Sequence, residues 1–175
     1  LLSSATESLS KAGLPLHEPE VASLTCESLG WEFEGSRGVL RPKTRRLWRL
    51  RIGTLALLEK GVATGKQISR IVGHFTFAGL ARRPFLSIFD AVYPFATKYR
   101  DVARPLSDGV RRELRWAVGL LPLLWANLRA EWESRVYATD ASEQGRGVVQ
   151  REVDIDWVKT LGRENDRWRF RGPPG

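Results

Sequence analysis

Methionine is absent from the 175 residues, cysteine occurs once and histidine twice. A single thiol, Cys26, excludes a disulfide scaffold and a cysteine-rich zinc site. No helix start or basic cluster lies near enough to activate it, so it reads as inert. Two histidines, His17 and His74, do not make a histidine metal cluster. The longest uncharged apolar run, Ala117 to Leu128, is interrupted by Pro122. It falls short of the roughly 20 residues that a spanning helix needs. No basic stretch precedes a hydrophobic one at the start, as a secretory signal would require. These absences predict an intracellular protein, cytoplasmic or nuclear, with no membrane partner. The missing methionine also predicts a fragment or a processed piece.

What remains is globular in character, 42% hydrophobic and 27% charged, at a length typical of one domain. The net charge is +8, unevenly spread. In residues 1–34 Lys11 stands against six glutamates, a net of −5, which leaves +13 for the rest. The densest basic run is Arg37, Arg41, Lys43, Arg45, Arg46, Arg49 and Arg51. Clustered arginine and lysine displace condensed counterions from phosphates, which points to a polyanionic partner. A solvated helix face without a partner has the same composition.

The hydrophobic pattern supplies the elements. Residues 1–12 read as a short helix ended by Gly13 and Pro15. Leu29 to Phe33, the Gly35-Ser36-Arg37-Gly38 turn and Val39-Leu40 read as a β-hairpin. From Thr44 to Lys60 the period is helical. Trp48, Ile52 and Leu55 form the expected apolar stripe, broadened by Leu47, Leu50 and Leu58. Arg45, Arg46 and Arg49 share another face. Thr64 caps a second helix, with Ile68, Ile71, Val72 and Phe75 facing inward and Lys66 and Arg70 off the stripe. Pro84–Tyr99 reads as a buried aromatic helix broken at Pro94. Ser107 begins a further helix with Val110, Leu114, Ala117, Val118 and Leu121 as its inner face, bent or ended by Pro122. The period then changes. Arg135–Asp140 and Gly147–Val149 read as strands around a turn, followed by a charged tail. The expected class is α+β: an N-terminal hairpin, a central helical bundle and a C-terminal hairpin. The expected divisions are residues 1–42, 43–133, 134–155 and 156–175.

Asp140, in Tyr-Ala-Thr-Asp-Ala-Ser-Glu-Gln-Gly-Arg-Gly, is the sharpest local feature. A carboxylate at the end of a strand, before small residues and a glycine turn, can hold a divalent metal. It can equally accept hydrogen bonds from the turn that follows it. Two-metal phosphoryl chemistry needs several carboxylates, and one cannot hold two metals. Glu152, Asp154, Asp156, Glu164 and Asp166 could join it by composition, but no spacing among them is diagnostic. Trp31 and Phe33 could press an aromatic edge on a nucleic-acid terminus, or could be core. His74 reads as a packed or hydrogen-bonded histidine.

Several segments together resemble reverse transcriptases of hepadnavirus-like and tyrosine-recombinase-type retroelements. Ser28-Leu29-Gly30-Trp31-Glu32-Phe33, with Gly35 and Gly38-Val39-Leu40, resembles their primer-grip hairpin. Ile68-Ser69-Arg70-Ile71-Val72-Gly73-His74-Phe75-Thr76-Phe77, continued by Pro84-Phe85-Leu86, is similar to the thumb. Leu106-Ser107 through Glu113-Leu114-Arg115-Trp116 looks like the connection helix. Val136-Tyr137-Ala138-Thr139-Asp140-Ala141-Ser142, with Gly145 and Gly147, resembles the first strand and turn of ribonuclease H. The resemblance covers about residues 10–150 and implies a piece of a larger polyprotein: the palm end, thumb and connection, and an incomplete ribonuclease H-like domain. It implies that Asp140 is a first Mg2+-binding carboxylate of the parent enzyme. It also implies that Lys43, Arg45, Arg46, Arg49, Lys66 and Arg70 grip an RNA–DNA hybrid or duplex, with Trp31 near the primer end. No Tyr-x-Asp-Asp run is present, so the chain by itself is expected not to polymerise DNA. The other readings are a non-catalytic nucleic-acid- or protein-binding helical module, and a functionless relic.

Overall fold

A computed structural model describes residues 2–14, 24–142 and 145–164. The chain divides into two compact units, Leu1–Arg129 and Ala130–Gly175. Among the described residues the structure is mixed α+β with three small antiparallel sheets.

The first unit opens with α1 (Leu2–Lys11) and a meander of three strands, β1 (Thr25–Ser28), β2 (Trp31–Glu34) and β3 (Val39–Pro42). The sequence reading found the second hairpin and missed β1. Ser28 pairs with Trp31, so only Leu29 and Gly30 turn the chain between β1 and β2. Both have positive φ, 49° and 88°, as the tightest hairpin turns require. The four-residue turn Gly35–Gly38 joins β2 to β3, with Gly38 at φ 63°. A β-carbon on Gly38 would collide with the Arg129 side chain, which donates from Nη2 to the Gly35 carbonyl at 2.8 Å. The short β6 (Ala126–Asn127) completes this sheet beside β3.

Helix α2 (Thr44–Lys60) has the predicted bounds but packs by a different face. Leu50, Thr54 and Leu58 are buried, with Leu47 and Leu57 partly so. Trp48, Ile52 and Leu55 point outward. The helix carries apolar residues on two sides, and periodicity alone does not say which side meets the core. Thr54 enters the core at little cost because its hydroxyl donates to the Leu50 carbonyl at 2.7 Å.

After β4 (Val62–Ala63), α3 (Gly65–Gly79) starts at a reciprocal cap. The Gln67 amide donates to the Thr64 hydroxyl, and the Thr64 amide donates to the Gln67 side chain. Arg83–Ile88 is a 3-10 turn, and α4 (Val92–Lys98) follows. Pro94 sits in the first turn of α4, where a missing N–H costs nothing, so it does not break the predicted helix. The break lies earlier, at 89–91. Buried Glu113 accepts from the Ala91 and Val92 amides at 2.7 and 3.0 Å and so closes the start of α4. The strand β5 (Arg104–Pro105) pairs with β4. Ser107 caps α5 (Asp108–Leu120) as predicted, and all five residues of its expected inner face are buried. The core gathers around Ile68, Phe75, Val92, Val110 and Leu114. Phe75, Phe85 and Phe89 pack mutually with ring centres 5.7–6.0 Å apart.

The second unit is a hairpin of β7 (Arg135–Ser142) and β8 (Gly145–Glu152) followed by α6 (Ile155–Arg163). Residues 156–163, expected to belong to a charged tail, form part of this helix, and residues 165–175 lie outside the described residues. Asp154 accepts from the Asp156 and Trp157 amides at 3.0 Å and starts a helix there. Trp168 and Asp166 lie outside the described residues. Gly162 lets the Trp132 ring approach where a β-carbon would stand. No described residue of this unit is buried.

Candidate nucleic-acid interface

The turn between β1 and β2 fixes the site. Lys43, just after β3, donates its amide to the Gly30 carbonyl at 3.0 Å. This holds the start of α2 against the turn. Glu32 then supplies the cap that Lys43 cannot. Its carboxylate accepts the Thr44 amide at 2.8 Å and Arg41 Nε at 2.8 Å. Burial alone would raise the Glu32 pKa, but these hydrogen bonds and the Arg41 charge hold it below its ordinary 4.5.

With α2 anchored there, its basic side faces α3 across a groove of about 580 Å³. Lys43, Arg45, Arg46, Arg49, Arg70 and His74 line it, and no carboxylate does. Lys43 is also paired with Glu27. Among the described residues the four arginines form no ion pair. Arg46 is the most constrained of them. Its guanidinium carbon lies 4.0 Å from the centre of the Phe77 ring, and Nη2 stands 3.5 Å from His74 Nδ1. Gly30 makes room, since a β-carbon there would stand 2.8 Å from Arg46 Nη1.

The structure therefore brings five of the predicted cations together and leaves one out. Lys66 does not line the groove; its ammonium pairs with Asp101 at 2.5 Å. That hydrogen bond holds the Asp101 carboxyl below its usual value. Trp31 is half-buried and packs on Phe77, with ring centres 4.9 Å apart. It supports the groove from behind. His74, expected to be packed or hydrogen-bonded, meets Arg46 in this way, whereas sequence reasoning gave neither it nor Phe77 a place in the groove. Their signal was present, because Arg70, His74 and Phe77 follow at i, i+4 and i+7 on one helix face.

Asp140 lies on β7 opposite Gly147, with its side chain exposed. No group of three or more histidine, cysteine or acidic residues that could hold a metal exists among the described residues. Glu152, the nearest in composition, is engaged elsewhere. It accepts from the Ser134 hydroxyl at 2.7 Å and Arg135 Nε at 2.9 Å. These bonds hold its pKa below the usual value and raise that of Arg135. No helix among the described residues is long and apolar enough to cross a membrane. Comparison with protein-family models, curated proteins and solved structures finds no match to this chain.

Proposed function

We propose that the groove between α2 and α3 binds the sugar–phosphate backbone of a nucleic-acid duplex without reading its sequence. One observation carries this reading: five cations from two helices and the preceding loop line a single groove that contains no carboxylate. Lys43 is paired with Glu27, but the four arginines form no ion pair among the described residues. Repelling charges brought together in this way suit a polyanion, and phosphate contacts position a duplex without specifying bases. The order of the motifs along the chain supports a reverse-transcriptase origin, for which the duplex is an RNA–DNA hybrid. In that reading the Mg2+ chemistry and the completed ribonuclease H-like domain belong to a larger polyprotein. The test is binding of a labelled RNA–DNA hybrid across a range of salt. Affinity should fall steeply with salt and be indifferent to sequence. Binding that does not change with salt would sink the proposal.

A non-catalytic binding module is the second reading, in keeping with the exposed side chain of Asp140. Under it, Asp140→Asn leaves hybrid binding unchanged, and neither form cleaves the hybrid. Cleavage by the parent sequence that Asp140→Asn abolishes would exclude it.

A further inference from the structure

Helix α2 carries a second, apolar stripe outside the groove, flanked by Arg45 and Arg49, which the groove shares, and by Arg51, which it does not. Trp48, Ile52 and Leu55 are 58%, 62% and 42% exposed and follow at i, i+4 and i+7. They lie opposite the buried side formed by Leu50, Thr54 and Leu58. This is heptad spacing, with Trp48 and Leu55 at d and Ile52 at a. The flanking e and g positions are then Arg49 and Arg51, and the preceding a position is Arg45. Among the described residues none of these arginines forms an ion pair.

We infer that the outer face of α2 is a docking seam for an acidic amphipathic helix of a partner protein. Charge complementarity selects that occupant. A second copy of α2 packed antiparallel would set Arg49 against Arg49 and Arg51 against Arg51, and packed parallel would set Arg45 against Arg45. Like charges at those positions oppose self-pairing. A partner helix with leucine along its seam and glutamate at e and g meets the same arginines with opposite charge. A lipid surface suits the face less well. A stripe of a and d residues alone is the narrow seam of a coiled coil, whereas interfacial helices present a broader apolar sector.

The test uses the whole chain and a labelled synthetic helix of about three heptads, leucine at a and d, glutamate at e and g. The chain should bind this helix, and should reject the same helix with lysine at e and g. Ile52→Ser should weaken binding by about tenfold. Arg51→Glu should shift preference toward the lysine helix. Trp48→Ser serves the same purpose should Ile52→Ser alter the melting curve. Neither Ile52 nor Trp48 lines the basic groove, so both serine variants should bind the RNA–DNA hybrid as the parent does. Failure of the seam is thus distinguishable from failure of the groove, although the two share Arg45 and Arg49. It is overturned if the glutamate helix does not bind, or binds Ile52→Ser and Trp48→Ser undiminished. It is also overturned if phosphatidylserine-rich vesicles, and not the glutamate helix, bind in a manner that Ile52→Ser abolishes.

Discussion

Glu32 closes the N terminus of a helix that begins twelve residues later: its carboxylate accepts the Thr44 amide at 2.8 Å. The cap comes from the middle of a strand, so the hairpin and the helix stabilise one another. Glu32→Gln keeps the shape and removes the charge. It should destabilise the chain by about 1 kcal/mol at neutral pH, the usual worth of a helix cap. Because the folded pKa lies below the ordinary 4.5, the unfolded state takes up the proton first as pH falls. The stabilisation is therefore complete above 4.5 and is lost as pH drops through the folded value. Urea unfolding should show the parent and Glu32→Gln converging in acid. A gap of constant size at every pH would refute this role.

Arg111 ties three parts of the first unit. It donates to the Leu106, Leu58 and Gly61 carbonyls at 3.1, 3.3 and 3.2 Å. The last two end α2, where Gly61 turns the chain at φ 70°. A charged hydrogen bond is worth about 1.5–3 kcal/mol when its loss leaves partly buried carbonyls unpaired. Arg111→Met should cost about that much and lower the thermal midpoint. A midpoint equal to the parent's would show that water replaces the guanidinium.

Leu29 holds φ 49° and is 90% exposed. A leucine in the left-handed region costs about 1–2 kcal/mol, and here no packing offsets it. Asparagine tolerates that region and is common in such turns. Leu29→Asn should raise stability by about 1 kcal/mol in denaturant unfolding. A loss of stability would mean that the exposed leucine serves a contact.

The helix bounds were legible wherever a local cap or stop wrote them. Thr64 with Gln67, Ser107, and Gly61 each act within one turn of their own helix. The inner faces of α3 and α5 were legible because each carries one apolar stripe. On α2 two stripes compete, and only the positions of α3 and α5 decide between them. The start of α4 depends on Glu113, more than twenty residues distant, and the start of α2 on Glu32. Neither pairing leaves a local pattern. In the candidate groove the arginines of α2 were legible by spacing. Their meeting with Arg70 and His74, and the diversion of Lys66 to Asp101, are products of tertiary packing.

The contact between Arg46 and Phe77 separates charge from placement in the groove. Arg45→Gln removes a cation, so it should weaken hybrid binding and reduce the salt slope by about 1. Phe77→Leu removes no charge. It takes away the ring that lies 4.0 Å from the Arg46 guanidinium and that also supports Trp31. Arg46 would then sample more orientations, and each would have to be reordered on binding. Phe77→Leu should therefore weaken hybrid binding by a few fold, about 1 kcal/mol at most, while leaving the salt slope at the parent value. Hybrid titrations at several salt concentrations on both variants check the pair together. If Phe77→Leu lowered the slope as Arg45→Gln does, Arg46 would have left the duplex altogether, and the ring would be holding a phosphate contact in place. If neither variant changed affinity, the duplex would lie elsewhere on the chain, and the groove would lose its proposed role.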